Sequence, residues 1–142
     1  VSEPFEFIIA GFGVPGRQVA EALCALKRSF CVIEMNPKTV MNCMAGGVHI
    51  IAGDASKPEV LREAGIETAR ALVVAVPNDE AALEILRAAK SVNPAIRVVV
   101  RCSFSSTGIQ ALKWGASEVV VAEQVVGQHL TEALMHGHQS HS

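Results

Sequence analysis

Residues 8–17 read Ile8-Ile9-Ala10-Gly11-Phe12-Gly13-Val14-Pro15-Gly16-Arg17. The run starts as apolar strand and passes through G-x-G-x-x-G. It then enters a segment of helical period, where Val19, Leu23 and Leu26 recur at i, i+4 and i+7. At such a junction Gly11 allows a tight turn. Gly13 lets the backbone approach a phosphate, and Gly16 lets helix and strand pack closely. The N–H groups at the helix start then face an anion with the positive end of the helix dipole behind them. The same glycines also suit a turn that serves packing alone. Pro15 removes one N–H from the loop but fits a first helical turn.

Outward from this loop the chain alternates. Apolar runs of strand length stand at 5–10, 30–35, 48–52, 70–76, 96–102 and 118–121. They are rich in Val and Ile and apolar almost throughout, which predicts strands buried on both faces of a parallel sheet. Segments of helical character fill the gaps at 16–28, 37–46, 56–64, 79–92, 105–114 and 123–135. Asn36 before Pro37 predicts an N-cap. Ser56 and Glu59 have capping-box spacing. Asp79 and Glu80 suit the positive end of their helix and Lys90 its negative end. Gly115 predicts a C-terminal stop. Six strand–helix units in this order predict an α/β fold, a doubly wound, Rossmann-like parallel sheet of six strands in the order 3-2-1-4-5-6. Residues 1–135 read as one domain, and 136–142 as a polar, frayed tail.

Glu34 closes the second apolar run, 18 residues after Gly16, where a carboxylate accepts hydrogen bonds from both hydroxyls of an adenosine ribose. It would repel a 2′-phosphate, and Met35, Asn36 and Pro37 follow it rather than an Arg. This favours NAD-type or simple adenine nucleotides over NADP.

Composition narrows the function classes. Half of the 142 residues are apolar and 18% are charged, enough to bury a core. The 12 basic and 14 acidic residues lack the basic excess of a nucleic-acid binder. Aromatic residues are 4% with no Tyr, against a base-stacking surface. Cys24, Cys31, Cys43 and Cys102 show no CxxC spacing and read as reduced thiols of a cytosolic protein. The N-terminus lacks signal-peptide character, no apolar run is long enough to span a membrane, and the start at Val1 suggests an excised piece. His136, His138 and His141 lack a fixed fourth metal ligand.

Four stretches carry a family resemblance: GFGVPG at 11–16, VIEMNP at 32–37, AGDASKPEVLREAGIETARALVVAVPND at 52–79, and VVVRCSFSSTGIQALKWGASEVVVAEQ at 98–124. Through them the chain from about 5 to 135 resembles the N-terminal Rossmann domain of regulators of potassium conductance, also called TrkA-N domains. These serve potassium channels, Trk/Ktr uptake systems and Kef-type efflux systems. The resemblance implies a phosphate cradle at Gly11, Phe12, Gly13, Val14, Pro15 and Gly16. It also implies a ribose ligand at Glu34 with Met35 beside it, an adenine-side wall at Asp54 and Ala55, a crevice lining at Val76, Pro77 and Asn78, and Arg101 near the ligand. Many members carry Arg where this chain has Val14, which leaves AMP, ADP, ATP and NAD(H) all open. It implies too a cytoplasmic regulatory domain at the inner face of the plasma membrane, acting on a potassium channel or transporter membrane domain.

Several of these residues have structural readings as well. Asp54 can cap a helix or brace its loop, Arg101 can pair with an acid at the sheet end, and Asn78 can cap the helix at 79–92. His49 reads as packed or half-exposed. No Ser–His–Asp set, metal triad or Tyr-x-x-x-Lys pair is present, so the chain does not read as an enzyme. A small NAD-dependent oxidoreductase subunit and an interaction module without ligand are the alternatives. Trp114, Val125, Val126, Leu130 and Leu134 exceed a narrow core stripe, which predicts a homodimer built on 105–135.

Overall fold

A computed structural model describes residues 4–139, with nothing described of the His138 and Gln139 side chains. The ends of the chain, His141 and the last residues of the tail lie outside the described residues. Six strands alternate with six helices: β1 Phe7–Ala10, α1 Val14–Ala25, β2 Phe30–Glu34, α2 Pro37–Ala45, β3 Ile50–Ala52, α3 Pro58–Glu63, β4 Ala71–Val74, α4 Asp79–Val92, β5 Arg97–Cys102, α5 Ser105–Lys113, β6 Glu118–Val121 and α6 Ala122–Gln139. All pairings are parallel, and the sheet order is β3-β2-β1-β4-β5-β6. This is the expected Rossmann-like α/β fold. The order reverses between β1 and β4, so the carboxyl ends of these strands part there and leave a crevice.

The two faces of the sheet are covered unequally. Ile8, Cys31, Ile33, Leu72, Val74, Val98 and Val100 face one way, where Leu61 of α3, Ile85 and Leu86 of α4 and Ala111 of α5 close a continuous core. Each fully buried aliphatic side chain there contributes about 1.5–3 kcal/mol of transfer free energy. On the other face Ile9 and Val32 pack against Ala20, with Val19 and Leu23 of α1 alongside. That second cover ends at β1. On the same face of β4, β5 and β6, Val73 and Val99 are only partly buried and Val120 is exposed. The expectation of strands buried on both faces therefore holds for β1 and β2 and fails for β4–β6. A groove runs over them, bordered by Gln18, Val19, Ala22 and Leu23 of α1.

Most local signals act as their chemistry predicts. Asn36 Oδ1 accepts from Lys38 N at 2.9 Å, and Asn78 Oδ1 from Ala81 N at 2.8 Å, each capping its helix. Lys90 Nζ donates to the Ile96 carbonyl at 2.6 Å near the end of α4. Gly115 has φ +100°, the left-handed residue that stops α5. The capping box at Ser56 does not form. Lys57 takes the N-cap position of α3 without a side-chain bond, because the Ser56 hydroxyl donates to Asp54 instead.

Two further differences concern the C-terminal end. Trp114 is packed against the large core, with the Arg87 guanidinium 4.7 Å from its ring centre, so it is used within the chain. Helix α6 starts directly after β6 and runs to Gln139, so positions 136–139 of the expected tail are helical. It does not lie along the sheet as an edge helix. Its residues 126–136 are all exposed. Among the described residues no helix is long and apolar enough to cross a membrane. His49 packs against the Phe5 ring at 4.6 Å.

Candidate nucleotide site

The backbone ladder of the sheet runs on into the loops at its carboxyl edge. Gly11 N donates to Ile33 O at 2.9 Å, Gly53 N to Glu34 O at 3.0 Å, and Ala75 N to Ala10 O at 2.8 Å. The three loops are thereby held side by side. Gly11 has φ +94°, and a Cβ there would stand 3.0 Å from Val76 Cγ1 and Val76 N. A Cβ on Gly16 would collide with the Gly11 carbonyl. Both glycines are therefore required by packing, independently of any ligand. Gly13 differs, since a Cβ there would meet nothing within 4 Å. Its backbone borders open space, which fits an approaching phosphate. The first backbone bond of α1 is Arg17 N to Gly13 O at 3.0 Å, so the N–H groups of Val14 and Gly16 remain outside the helix ladder. Pro15 supplies none. The Arg17 guanidinium lies 5.9 Å from the Phe12 ring centre.

Glu34 is more heavily engaged than a strand-end acid need be. Its Oε1 accepts from Phe12 N at 3.0 Å, and its Oε2 from Met35 N at 2.6 Å and Asn36 N at 2.8 Å. The carboxylate thus ties the glycine loop to the β2–α2 turn. Each carboxylate oxygen has two acceptor positions, so Oε1 retains one and Oε2 none. One ribose hydroxyl fits without rearrangement. A second would have to replace a turn N–H.

A cleft opens beside this carboxylate. Gly11, Glu34, Met35, Asp54, Ala55, Val76 and Pro77 line it together with Ile33, Gly53, Ala81 and Ile85. The apolar members form walls suited to a flat heterocycle, with the carboxylate at the rim. Asp54 braces its own loop, where Oδ1 accepts from Ser56 N at 2.9 Å and Ser56 Oγ at 2.7 Å. These bonds, the backbone N–H first, hold its carboxyl below the usual range. Asn78 caps α4 and does not line the cleft. Arg101 Nη1 donates to Pro77 O at 3.3 Å. Arg101 and Pro15 line the open groove rather than the cleft.

Ile33, Gly53, Ala81 and Ile85 were not singled out from the sequence. Ile33 and Gly53 adjoin residues that were, while Ala81 and Ile85 belong to the α4 face that points at the crevice. Asp79 has a role beyond its helix terminus. Its carboxylate accepts from Ser103 N at 2.8 Å and Phe104 N at 3.2 Å, joining the loops after β4 and β5. Burial pushes its carboxyl upward. The Thr107 hydroxyl, these two N–H groups and the Arg101 charge outweigh that and hold it below the usual range.

Comparisons with known proteins place the fold in a family. The chain is 28% identical over 127 residues to YbaL of Escherichia coli (strain K12), named provisionally as a cation/proton antiporter, covering 89% of this chain and 23% of YbaL. It is 29% identical over 126 residues to potassium channel protein 1 of Methanocaldococcus jannaschii, covering 87% of this chain and 38% of the channel. The chain thus spans well under half the length of these curated relatives. The crystal structure of the TrkA-N domain of the E. coli inner membrane protein YbaL superposes with a TM-score of 0.88 at 28% identity, covering 94% of this chain and 99% of that one. The AMP-bound Kef C-terminal domain of Shewanella denitrificans gives 0.76 at 25%, covering 92% and 80%. The GsuK structure bound to ADP gives 0.81 at 27%, covering 92% and 34%. The TrkA-N domain family matches residues 7–122, and the chain belongs to that family.

Proposed function

We propose that this domain binds an adenine nucleotide in the crevice between β1 and β4, and that occupancy controls the membrane part of a potassium channel or cation transporter. The observation that carries the reading is the convergence of the glycine loop, the Glu34 carboxylate and the Gly53-Asp54-Ala55 turn on one cleft at the point where strand order reverses. The base would sit between Ile33, Ala55, Val76 and Ile85. A ribose hydroxyl would donate to Glu34 Oε1, and phosphate would meet the N–H groups of Gly13, Val14 and Gly16. AMP, ADP, ATP and NAD(H) share this adenosine half. The AMP-bound Kef domain and ADP-bound GsuK support the ligand class, and the channel and antiporter relatives support the partner.

In this reading the domain lies at the cytoplasmic face of the membrane, turns over no substrate, and works by population shift. Nucleotide stabilises one arrangement of the assembly over another by its difference in affinity for the two. The assembly includes a homodimer formed through 105–135.

A thermal-shift panel of AMP, ADP, ATP, NAD⁺ and NADH tests the binding. Free ligand at 100 times Kd adds about 2.7 kcal/mol of stability. Glu34→Ala is expected to weaken the best ligand by about 1.5–3 kcal/mol in calorimetry. A panel without any shift ends the reading, and unchanged affinity in Glu34→Ala ends the ribose assignment.

A further inference from the structure

Resting on the nucleotide reading above, we infer that Arg17 is the residue by which this domain tells a nucleotide from its nucleoside, its guanidinium pairing with the phosphate next to the adenosine ribose. The cleft itself holds no compensating charge. Glu34 and Asp54 line it, and among the described residues no Lys or Arg does. Two carboxylates repel an arriving phosphate, which carries a charge of about −1.5 to −2 at neutral pH. The glycine loop answers with neutral N–H groups and the partial charge of a helix end, about +0.5. A full positive charge must come from beside the loop.

Arg17 is placed for this. It stands in the first turn of α1, with its N–H on the Gly13 carbonyl at 3.0 Å. Its guanidinium lies 5.9 Å from the Phe12 ring centre, within cation–π reach. Phe12 is itself held by its N–H on Glu34 Oε1 at 3.0 Å and by packing against the Ile9, Ala20 and Val32 cluster. The cation is thus tied to the residue between the first two loop glycines. Burial raises the Cys43 thiol of α2, while the Arg17 charge lowers it and the Glu34 charge raises it, so both charges stand near the same point of α2. That is the ribose side of the loop, where the first phosphate leaves the sugar.

Arg17 is also available. It is exposed, and among the described residues its guanidinium makes no ion pair. Arg101 and Lys57 are engaged, the first on the Pro77 carbonyl at 3.3 Å and the second beside Asp54, whose carboxyl it helps to lower. A planar guanidinium presents two parallel N–H donors to a phosphate and adds the charge that the loop N–H groups lack.

Calorimetry of the 142-residue chain with AMP and with adenosine tests this. Arg17→Gln, verified as folded by circular dichroism, should weaken AMP at least about tenfold and change adenosine by under about twofold. Arg17→Lys should recover part of the AMP affinity, because it keeps the charge without the planar fork. Lys38→Gln removes an exposed charge from the first turn of α2 and should leave AMP within about twofold of wild type. Unchanged AMP affinity in Arg17→Gln, an equal loss of adenosine, or an equal loss of AMP in Lys38→Gln overturns the assignment and leaves the nucleotide site standing. A wild-type chain that binds neither AMP nor adenosine overturns the nucleotide reading, and the role of Arg17 with it.

Discussion

The two halves of the sheet are built from similar sequence and end in different surroundings. β2 reads Phe-Cys-Val-Ile-Glu and β5 reads Arg-Val-Val-Val-Arg-Cys. In β2, Cys31, Val32 and Ile33 are all buried, because α1 covers one face and the α3–α5 layer the other. In β5, Val98 and Val100 are buried while Val99 between them is only partly so. A strand that is apolar on both sides but covered on one leaves Val99 in the wall of the groove. Period-2 patterning shows which faces must leave water, and does not show whose atoms cover them.

The contrast can be broken by truncation. Ile9→Ala removes a fully buried side chain from the doubly covered half and is expected to cost about 3 kcal/mol in urea unfolding. Val99→Ala should cost under about 1 kcal/mol, since Val99 is only partly buried and borders an open groove. Equal losses would show that β5 is as enclosed as β1. Gly16→Ala tests the backbone contact that seats α1 on the first half. Its methyl meets the Gly11 carbonyl, and a loss of about 1–3 kcal/mol is expected.

A smaller effect concerns the second half. Asp79 holds the loops after β4 and β5 together, and its carboxyl lies below the usual value of about 3.9. Its contribution is therefore complete above that value and fades as pH falls through the lower folded-state value. Asp79→Asn should cost about 1 kcal/mol at neutral pH and less at acid pH, once the carboxylate is protonated in the folded protein. Urea titrations at the two pH values check this, and a pH-independent difference would remove the carboxylate from the account. The least effect on stability comes from thiol labelling at about pH 8. Cys24 is exposed and should react, while Cys31, pushed up to about 11 by burial first and Glu63 second, should stay unmodified in the folded protein.

Much of this architecture was legible because its signals are local. The strand order followed from six alternating units together with the glycine loop after the first strand. Asn36, Asn78 and Gly115 act where their chemistry placed them. The glycine loop was legible in position but mixed in meaning, since Gly11 and Gly16 are held by packing and only Gly13 faces open space. Competition between neighbours was not legible. Ser56 could bond Asp54 or cap α3, and spacing alone favoured the cap that does not form. The three N–H groups on Glu34 depend on how two turns meet, which no single segment encodes. The path of α6 escaped as well, because an amphipathic period says that a helix has a partner face without saying where.

The absence of any residue between Val121 and Ala122 has a mechanical meaning. A strand that becomes a helix at a single peptide bond passes its orientation on as a stiff lever. With 18 residues at about 1.5 Å each, α6 is an arm of about 27 Å. A tilt of about 10° in β6 would carry the far end of an arm that long through about 5 Å. Motion too small to disturb the core at the sheet would thus arrive at the tip as a displacement comparable to the spacing between neighbouring strands.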